Sequence, residues 1–518
     1  MRPRLHAIIC LFHTLFVFVA CDGDSSHRRL SIIDDLQQYV RPEYVVDEET
    51  FHHEIQQAGR AWAPRMYADD YTQRYYHGHR PTVWTTRMGI DNRADTLLAW
   101  LEQAEDLGLG REAFLLDTLH SLVDQLKRLD MKQEGASALL GRTEFLLTRS
   151  FLRYACGQRY GFVHPRHVFN NLLIDPPAPG EVRTTTVYRE LYDQRSEEPG
   201  DSFVQHAIEE VRHHRLSSFL REIQPTDTLY RRMQREYLRI RGTADTTRIR
   251  QTRINMERAR WRYPHPDGGQ YIWVNLAAQE LTAVDTHRDT TATMRICCGN
   301  KTHKTPLLHS AVRWIELNPH WIIPQTIVRK EIVPRHVGDS GYFARNRYHA
   351  INKTTKKEVN PALLSAAQLR SAQYTIRQES GPGNSLGRII FRFPNKFSVF
   401  LHDTNNRGAF RYANRAVSHG CVRVERPLDL ALFFLDHPTA LYTDRIRMSI
   451  GLQPLSSEGQ SYMAEHPDAK PLGRIDLPKP VPVWLDYWTL YPSPDGQLQS
   501  YDDMYGYDKV IENLLNSY

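Results

Sequence analysis

The chain is poor in cysteine, with six in 518 residues. Cys10 and Cys21 fall in the N-terminal apolar stretch, leaving Cys156, Cys297, Cys298 and Cys421 with no C-x-x-C pair among them. That leaves no zinc or thioredoxin signature, and so few cysteines do not indicate a disulfide framework. Cys297 and Cys298 are neighbours in a β-like stretch and so point to opposite faces. A single thiol with a chemical task stays open. An excess of charge is also missing, since 66 Lys+Arg against 60 Asp+Glu leave only +6. Over such a length this is no nucleic-acid footprint. Past the N-terminus no window reaches the roughly 18 consecutive apolar residues of a membrane span. Internal repeats and metal or nucleotide motifs are lacking too, so no cofactor is expected. What is present is an ordinary globular balance of 41% hydrophobic and 24% charged residues, which excludes wholesale disorder, collagen and coiled coil. The length suits about three domains of ~150 residues.

Residues 1–20 read as an export signal. Arg2 and Arg4 form a basic start, and Leu5–Val19 is an apolar run interrupted by His6, His13 and Thr14 before Ala20-Cys21. The stretch resembles a bacterial lipoprotein signal, in which the cysteine, here Cys21, is lipidated and becomes the new N-terminus. Phe18 departs from that pattern, and ordinary cleavage near Ala20 is the alternative. Either way the folded part is expected in the periplasm or cell envelope, with membrane contact only through the lipid anchor. Asp22-Gly-Asp-Ser-Ser26 suits a tether, and residues 21–90 an extended, Tyr-rich lead-in with short helices.

Residues 91–240 have a helical pattern. Leu97, Trp100, Leu101, Ala104 and Leu107 recur at helical spacing, as do Leu147, Phe151, Tyr154 and Ala155. The Pro176-Pro-Ala-Pro179 run interrupts it. Basic residues are dense from Arg212 to Arg262, and 241–262 reads as a connector with a solvated basic face, or else a contact for an anionic polymer. From 263 onward the texture is β. Tyr271–Leu276, Ala292–Cys298, Ala311–Leu317, Arg388–Phe393, Ser398–Leu401 and Val481–Thr489 are rich in β-branched and aromatic residues. Pro427–Leu435 suits a helix. The polar, more helical stretch 329–372 is long for a loop and suits a lid or insertion. The expected class is α+β, with a helical domain ahead of a mostly β one.

The chemically informative segment runs from His402 to Val424. Cys421 follows Ser418-His419-Gly420 and precedes Val422-Arg423. A thiolate nucleophile needs a depressed pKa, which nearby cations or an imidazole supply. Arg423 at i+2 on a strand shares the face of Cys421. Gly420 permits close backbone approach, and N–H groups around Cys421 could cradle an oxyanion. His402 closes a hydrophobic strand, where a base arriving from another strand end can meet the S–H direction. A lone strand cysteine is more often a small buried hydrophobe. From these residues alone the two readings are evenly matched.

His402, then fifteen residues, then Ser418-His-Gly-Cys-Val-Arg423 resembles the signature of the L,D-transpeptidase catalytic domain, the YkuD-like family. Asn318-Pro-His-Trp321, Arg329-Lys-Glu-Ile332, Arg377-Gln378, Gly381-Pro-Gly-Asn384, Phe393-Pro-Asn395 and Leu477–Val483 resemble its larger YcbB-type branch. The likeness runs from about Arg253 to the end, and Leu97–Tyr160 is more weakly similar to that branch's helical scaffold. One departure stands out. The branch commonly carries a small peptidoglycan-binding domain, and between Tyr237 and Arg258 there is no room for one.

The resemblance implies a peptidoglycan L,D-transpeptidase. Cys421 would attack the third residue of a donor tetrapeptide stem, release D-Ala, and pass the thioester to a side-chain amine of a second stem, giving a 3→3 cross-link. His402 and His419 join Cys421 as catalytic residues. Gly420, Ser418, Asp403 and Arg423 would support them, and Arg377, Trp321 and Asn318 would bind substrate. An L,D-carboxypeptidase and a non-catalytic wall-binding protein are the alternatives.

Overall fold

The computed structural model describes residues 45–516, except 62–65, 79, 87–88, 131–134, 171, 174–187, 264–267, 437 and 494. The export signal, Cys21, the tether and the Pro176–Pro179 run therefore lie outside the described residues. No described helix is long and apolar enough to cross a membrane.

The chain divides into two compact units. One comprises residues up to Gln103, Arg111–Ala155 and Gly200–Glu222, and the other Ala104–Gly110, Cys156–Pro199 and Ile223 onward. The first is helical. Leu97, Leu98 and Leu101 on Asn92–Leu101, and Leu119, Leu122 and Val123 on Leu116–Arg128, are buried, as the 3.6-residue period requires. Its interior also holds charge. Glu144 accepts from the backbone N–H of Thr85 at 2.8 Å and from the Tyr76 hydroxyl at 2.6 Å. Asp69 pairs with Arg153 at 2.6 Å. Buried charges persist only when paired and bonded in this way.

The basic stretch read as a connector is not a solvated face. Thr246–Arg260 is a helix packed into the second unit, where Arg258 meets Asp508 at 2.6 Å and Arg260 meets Glu257 at 3.2 Å, all buried. Thr228–Ile240, placed with the helical domain by periodicity, packs there too. Its Tyr230 and Met233 join Met256, Trp273, Trp484 and Trp488 in one core. Helical spacing reports which face is buried but not against which unit.

The β part runs through β1 (Gln270–Asn275), β2 (Glu280–Asp285), β3 (Thr290–Gly299) and β4 (Leu307–Leu317). An insertion then supplies β5 (Trp321–Ile322), β6 (Tyr348–Asn352), β7 (Glu358–Val359) and β8 (Tyr374–Gln378). The chain returns through β9 (Ile389–Arg392), β10 (Leu401–His402), β11 (Ala416–Ser418) and β12 (Val422–Val424), and later β13 (Arg474–Asp486). The order β9-β10-β12-β3-β2-β1-β13-β4, with β4 pairing back to β9, closes the sheet on itself and leaves no open edge among these eight strands. Along β2 burial alternates residue by residue, with Leu281, Ala283 and Asp285 inside. The insertion is more than a polar helical loop. Trp321 to Gln378 builds a four-stranded sheet, β5-β8-β6-β7, with short helices over a core of Val328, Ile332, Phe343, Ala350, Leu369 and Ile376. Its strands of two to five residues are too short to show a period of two.

Candidate active site

Two strand ends meet where β10 runs parallel to β12, with Leu401 opposite Val422 and His402 opposite Arg423. The pairing brings His402, Arg423 and the residue just ahead of β12, Cys421, to one cavity of about 510 Å³. Its floor is barrel and its roof is the insertion, which contributes Trp321, Ile327, Lys330, Glu331, Tyr342 and Tyr348.

Local backbone needs explain the Ser-His-Gly-Cys run. Gly420 has φ +115°, a region essentially closed to side-chain-bearing residues. Its carbonyl accepts from the Thr305 hydroxyl at 2.8 Å. Across that trans peptide the Cys421 N–H points the opposite way. Ser418 tightens the turn, as its hydroxyl donates to the Cys421 carbonyl at 2.5 Å and accepts from the Gly420 N–H at 3.2 Å. Val422 N–H donates to the Phe400 carbonyl at 3.0 Å, tying the turn to the chain that leads into β10.

His402 is 4% exposed, and its Nδ1 lies 2.5 Å from the Asp403 carbonyl. A carbonyl only accepts, so Nδ1 carries the proton and Nε2 is the basic nitrogen. Burial, aided by the Arg423 charge and partly opposed by the Asp403 and Leu386 carbonyls, lowers its pKa to about 4. The imidazole is neutral at neutral pH. Asp403 is itself held, accepting from Arg388 N–H at 2.9 Å and pairing with Arg407 at 3.0 Å. Gly387 (φ +65°) permits its approach, since a Cβ there would sit 2.4 Å from Asp403 Cβ.

The thiol differs from the depressed one that sequence reasoning anticipates. Burial pushes the Cys421 pKa above its ordinary value, and the Phe400 N–H with the charges of Arg392 and Arg423 only partly offsets this. The resting pair is thiol and neutral imidazole. To act as a nucleophile such a thiol would have to form its thiolate by proton transfer. Burial likewise lowers the pKa of Arg423, whose buried Nε has no hydrogen-bond partner.

His419 lies on the lid side of the same cavity. Its Nε2 is 2.7 Å from Glu331 Oε1, and its ring sits 4.7 Å from that of His303. Trp321 lines the cavity, whereas Arg377 and Asn318 do not. Arg377 pairs with Glu358 at 3.4 Å on the insertion's sheet, and Asn318, at φ +48°, forms the turn after β4 with its N–H on the Arg388 carbonyl. Cys297 and Cys298 are fully buried in β3 on opposite faces, Cys297 opposite Arg423. Glu331, His303, Tyr342, Tyr348 and the Phe397–Val399 stretch were not picked out as site residues from sequence. Glu331 stands within the Arg329–Ile332 segment, but nothing local says that it reaches His419.

Residues 269–440 match the family model of the L,D-transpeptidase catalytic domain (YkuD), and residues 69–236 match that of the scaffold domain. The chain is also similar to a Haemophilus influenzae protein provisionally named as an L,D-transpeptidase, with 26% identity over 320 residues. That match spans 61% of this chain and 60% of the relative's length.

Proposed function

The chain carries a YkuD-type L,D-transpeptidase catalytic domain together with a scaffold domain, the YcbB-type architecture, and from that premise we propose that it forms 3→3 cross-links between peptidoglycan stem peptides through a thioester on Cys421. The observation that supports this most is the β10–β12 pairing, which brings a tautomer-fixed neutral imidazole and a thiol into one roofed cavity.

In this reading His402 Nε2 takes the Cys421 proton as sulfur attacks the carbonyl of the third residue of a donor tetrapeptide. The developing oxyanion meets the Cys421 N–H, aimed by the Thr305 bond to Gly420. The C–N bond breaks, His402 returns its proton to the leaving D-Ala amine, and the acyl group rests on sulfur. An acceptor amine then attacks, C–S breaks, and the thiolate is reprotonated. The thioester keeps the acyl energy, so the exchange needs no nucleotide. Arg423, a cation lining the cavity floor, suits a donor carboxylate. The insertion acts as a lid that keeps water from the thioester. Export and anchoring through Cys21 belong to the same proposal, supported by the basic start and apolar run ahead of that cysteine.

Mass analysis of products from purified tetrapeptide stems tests the function. Cross-linked dimers lacking one D-Ala are expected. Tripeptide alone would make the protein a carboxypeptidase, and unchanged stems would make it a non-catalytic wall binder.

A further inference from the structure

The cavity over Cys421 is bipolar, and we infer that its lid-side carboxylate, Glu331, receives the protonated amine of the acceptor and thereby favours amine over water. This rests on the transpeptidase reading and assigns the acceptor subsite within it.

Among the described residues lining the cavity, Glu331 is the one acidic side chain; Lys330 and Arg423 are the cations. Arg423 comes from the barrel floor with its buried, unpartnered Nε. Glu331 comes from the roof, on a turn of π-helix, Val328–Ile332, a wide turn frequent at functional sites. Its side chain is 41% exposed, and its Oε1 meets His419 Nε2 at 2.7 Å. Tyr342 and Tyr348 line the same side at 5.8 Å from one another, and the Glu331 charge acts on both phenols. A carboxylate whose charge reaches two neighbouring phenols is a receptor for an ammonium group chiefly through charge, since one face of Tyr342 is stacked on the His336 ring at 3.6 Å. Lys330 would oppose that cation, and its neighbour Glu331 offsets it. Donor carboxylate and acceptor ammonium are thus sorted to opposite walls by charge.

The bound ammonium first loses a proton, the freed nitrogen lone pair then bonds to the thioester carbonyl carbon, the C–S bond breaks, and sulfur leaves as thiolate. Nitrogen gives up two protons. The ammonium proton passes to solvent through the Glu331–His419 pair. The second, from the tetrahedral adduct, reaches the thiolate through His402 and restores the thiol. Water carries no charge and gains nothing from Glu331.

The test forms the thioester on wild type and on Glu331→Gln from a donor tetrapeptide, then adds either a stem peptide with a free side-chain amine or hydroxylamine, which is uncharged at neutral pH. The ratio of aminolysed to hydrolysed product is read by mass. Loss of the charge should lower the ratio for the ammonium acceptor by roughly tenfold and raise its half-saturating concentration. With hydroxylamine the ratio should stay within about twofold, because no cation is recognised. Glu331→Asp should recover part of the loss. Equal losses with both nucleophiles would make Glu331 a support for His419 only, and no loss with either would remove the subsite. A wild-type protein that forms no thioester would overturn the transpeptidase reading itself.

Discussion

His419 is held by Glu331 at 2.7 Å, so the histidine nearest in sequence to Cys421 is engaged by the roof of the cavity. His402 is fixed through Nδ1 by the Asp403 carbonyl and keeps Nε2 for proton transfer. In the proposed mechanism the base is therefore the histidine more distant in sequence. His402→Ala should slow thioester formation by about 100-fold or more, the usual scale of general-base loss. His419→Ala should leave the thioester forming at a reduced rate and weaken its transfer. Single-turnover acylation followed by intact mass separates the two, and an exchange of these behaviours would make His419 the base.

The resting state is open to a pH test. With the Cys421 pKa raised by burial, alkylation by iodoacetamide should climb steadily through pH 9, with no plateau between pH 5 and 8. Arg423→Gln removes a charge that lowers that pKa and should slow alkylation at any fixed pH below it. A plateau near neutrality would point instead to a standing thiolate–imidazolium pair.

Stability should follow pH through His402. Its folded pKa of about 4 lies below the ordinary 6.5, so the unfolded chain takes up the proton first and stability falls as pH drops from about 6.5 toward 4. The loss is on the order of 2–3 kcal/mol at the low end for a group this buried. Above pH 6.5 the contribution is fully present. Denaturant titrations of wild type and His402→Gln across this window measure it, and the variant should lack that part of the decline.

Much of this was legible in the chain because of where the information sits. Most of the β-branched runs became strands, Ser398–Leu401 being irregular until the two-residue β10 at Leu401–His402, and the His402 to Arg423 spacing marked residues that the fold gathers into one cavity. Parallel pairing of β10 with β12 was not readable, since it depends on a strand of two residues meeting one of three. The lid's own sheet escaped for the same reason. The run of basic residues before the barrel looked solvated because sequence shows Arg258 and Arg260 but not Asp508 and Glu257 facing them. Burial raising the Cys421 pKa against its neighbouring arginines is a tertiary effect with no sequence period.

Gly420→Ala should be costly out of proportion to its one added carbon. The nearest atom to such a Cβ is 3.6 Å away, so no clash arises and the cost is backbone strain at φ +115°, about 1–3 kcal/mol. Relief would rotate the peptide and turn the Cys421 N–H away from the oxyanion. The thioester-forming rate should drop more than 100-fold, in line with loss of an oxyanion donor, while alkylation of Cys421 continues. Retained acylation would show that this amide is not the donor.

The most direct measurement is the intact mass of the protein after incubation with a donor tetrapeptide alone. Wild type should gain one acyl group equal to the stem without its terminal D-Ala, mapped by peptide digestion to Cys421. Cys421→Ala should gain nothing and should melt near wild type, since the change leaves little cavity. An adduct on Cys297 or Cys298, or product formed by Cys421→Ala, would contradict the account.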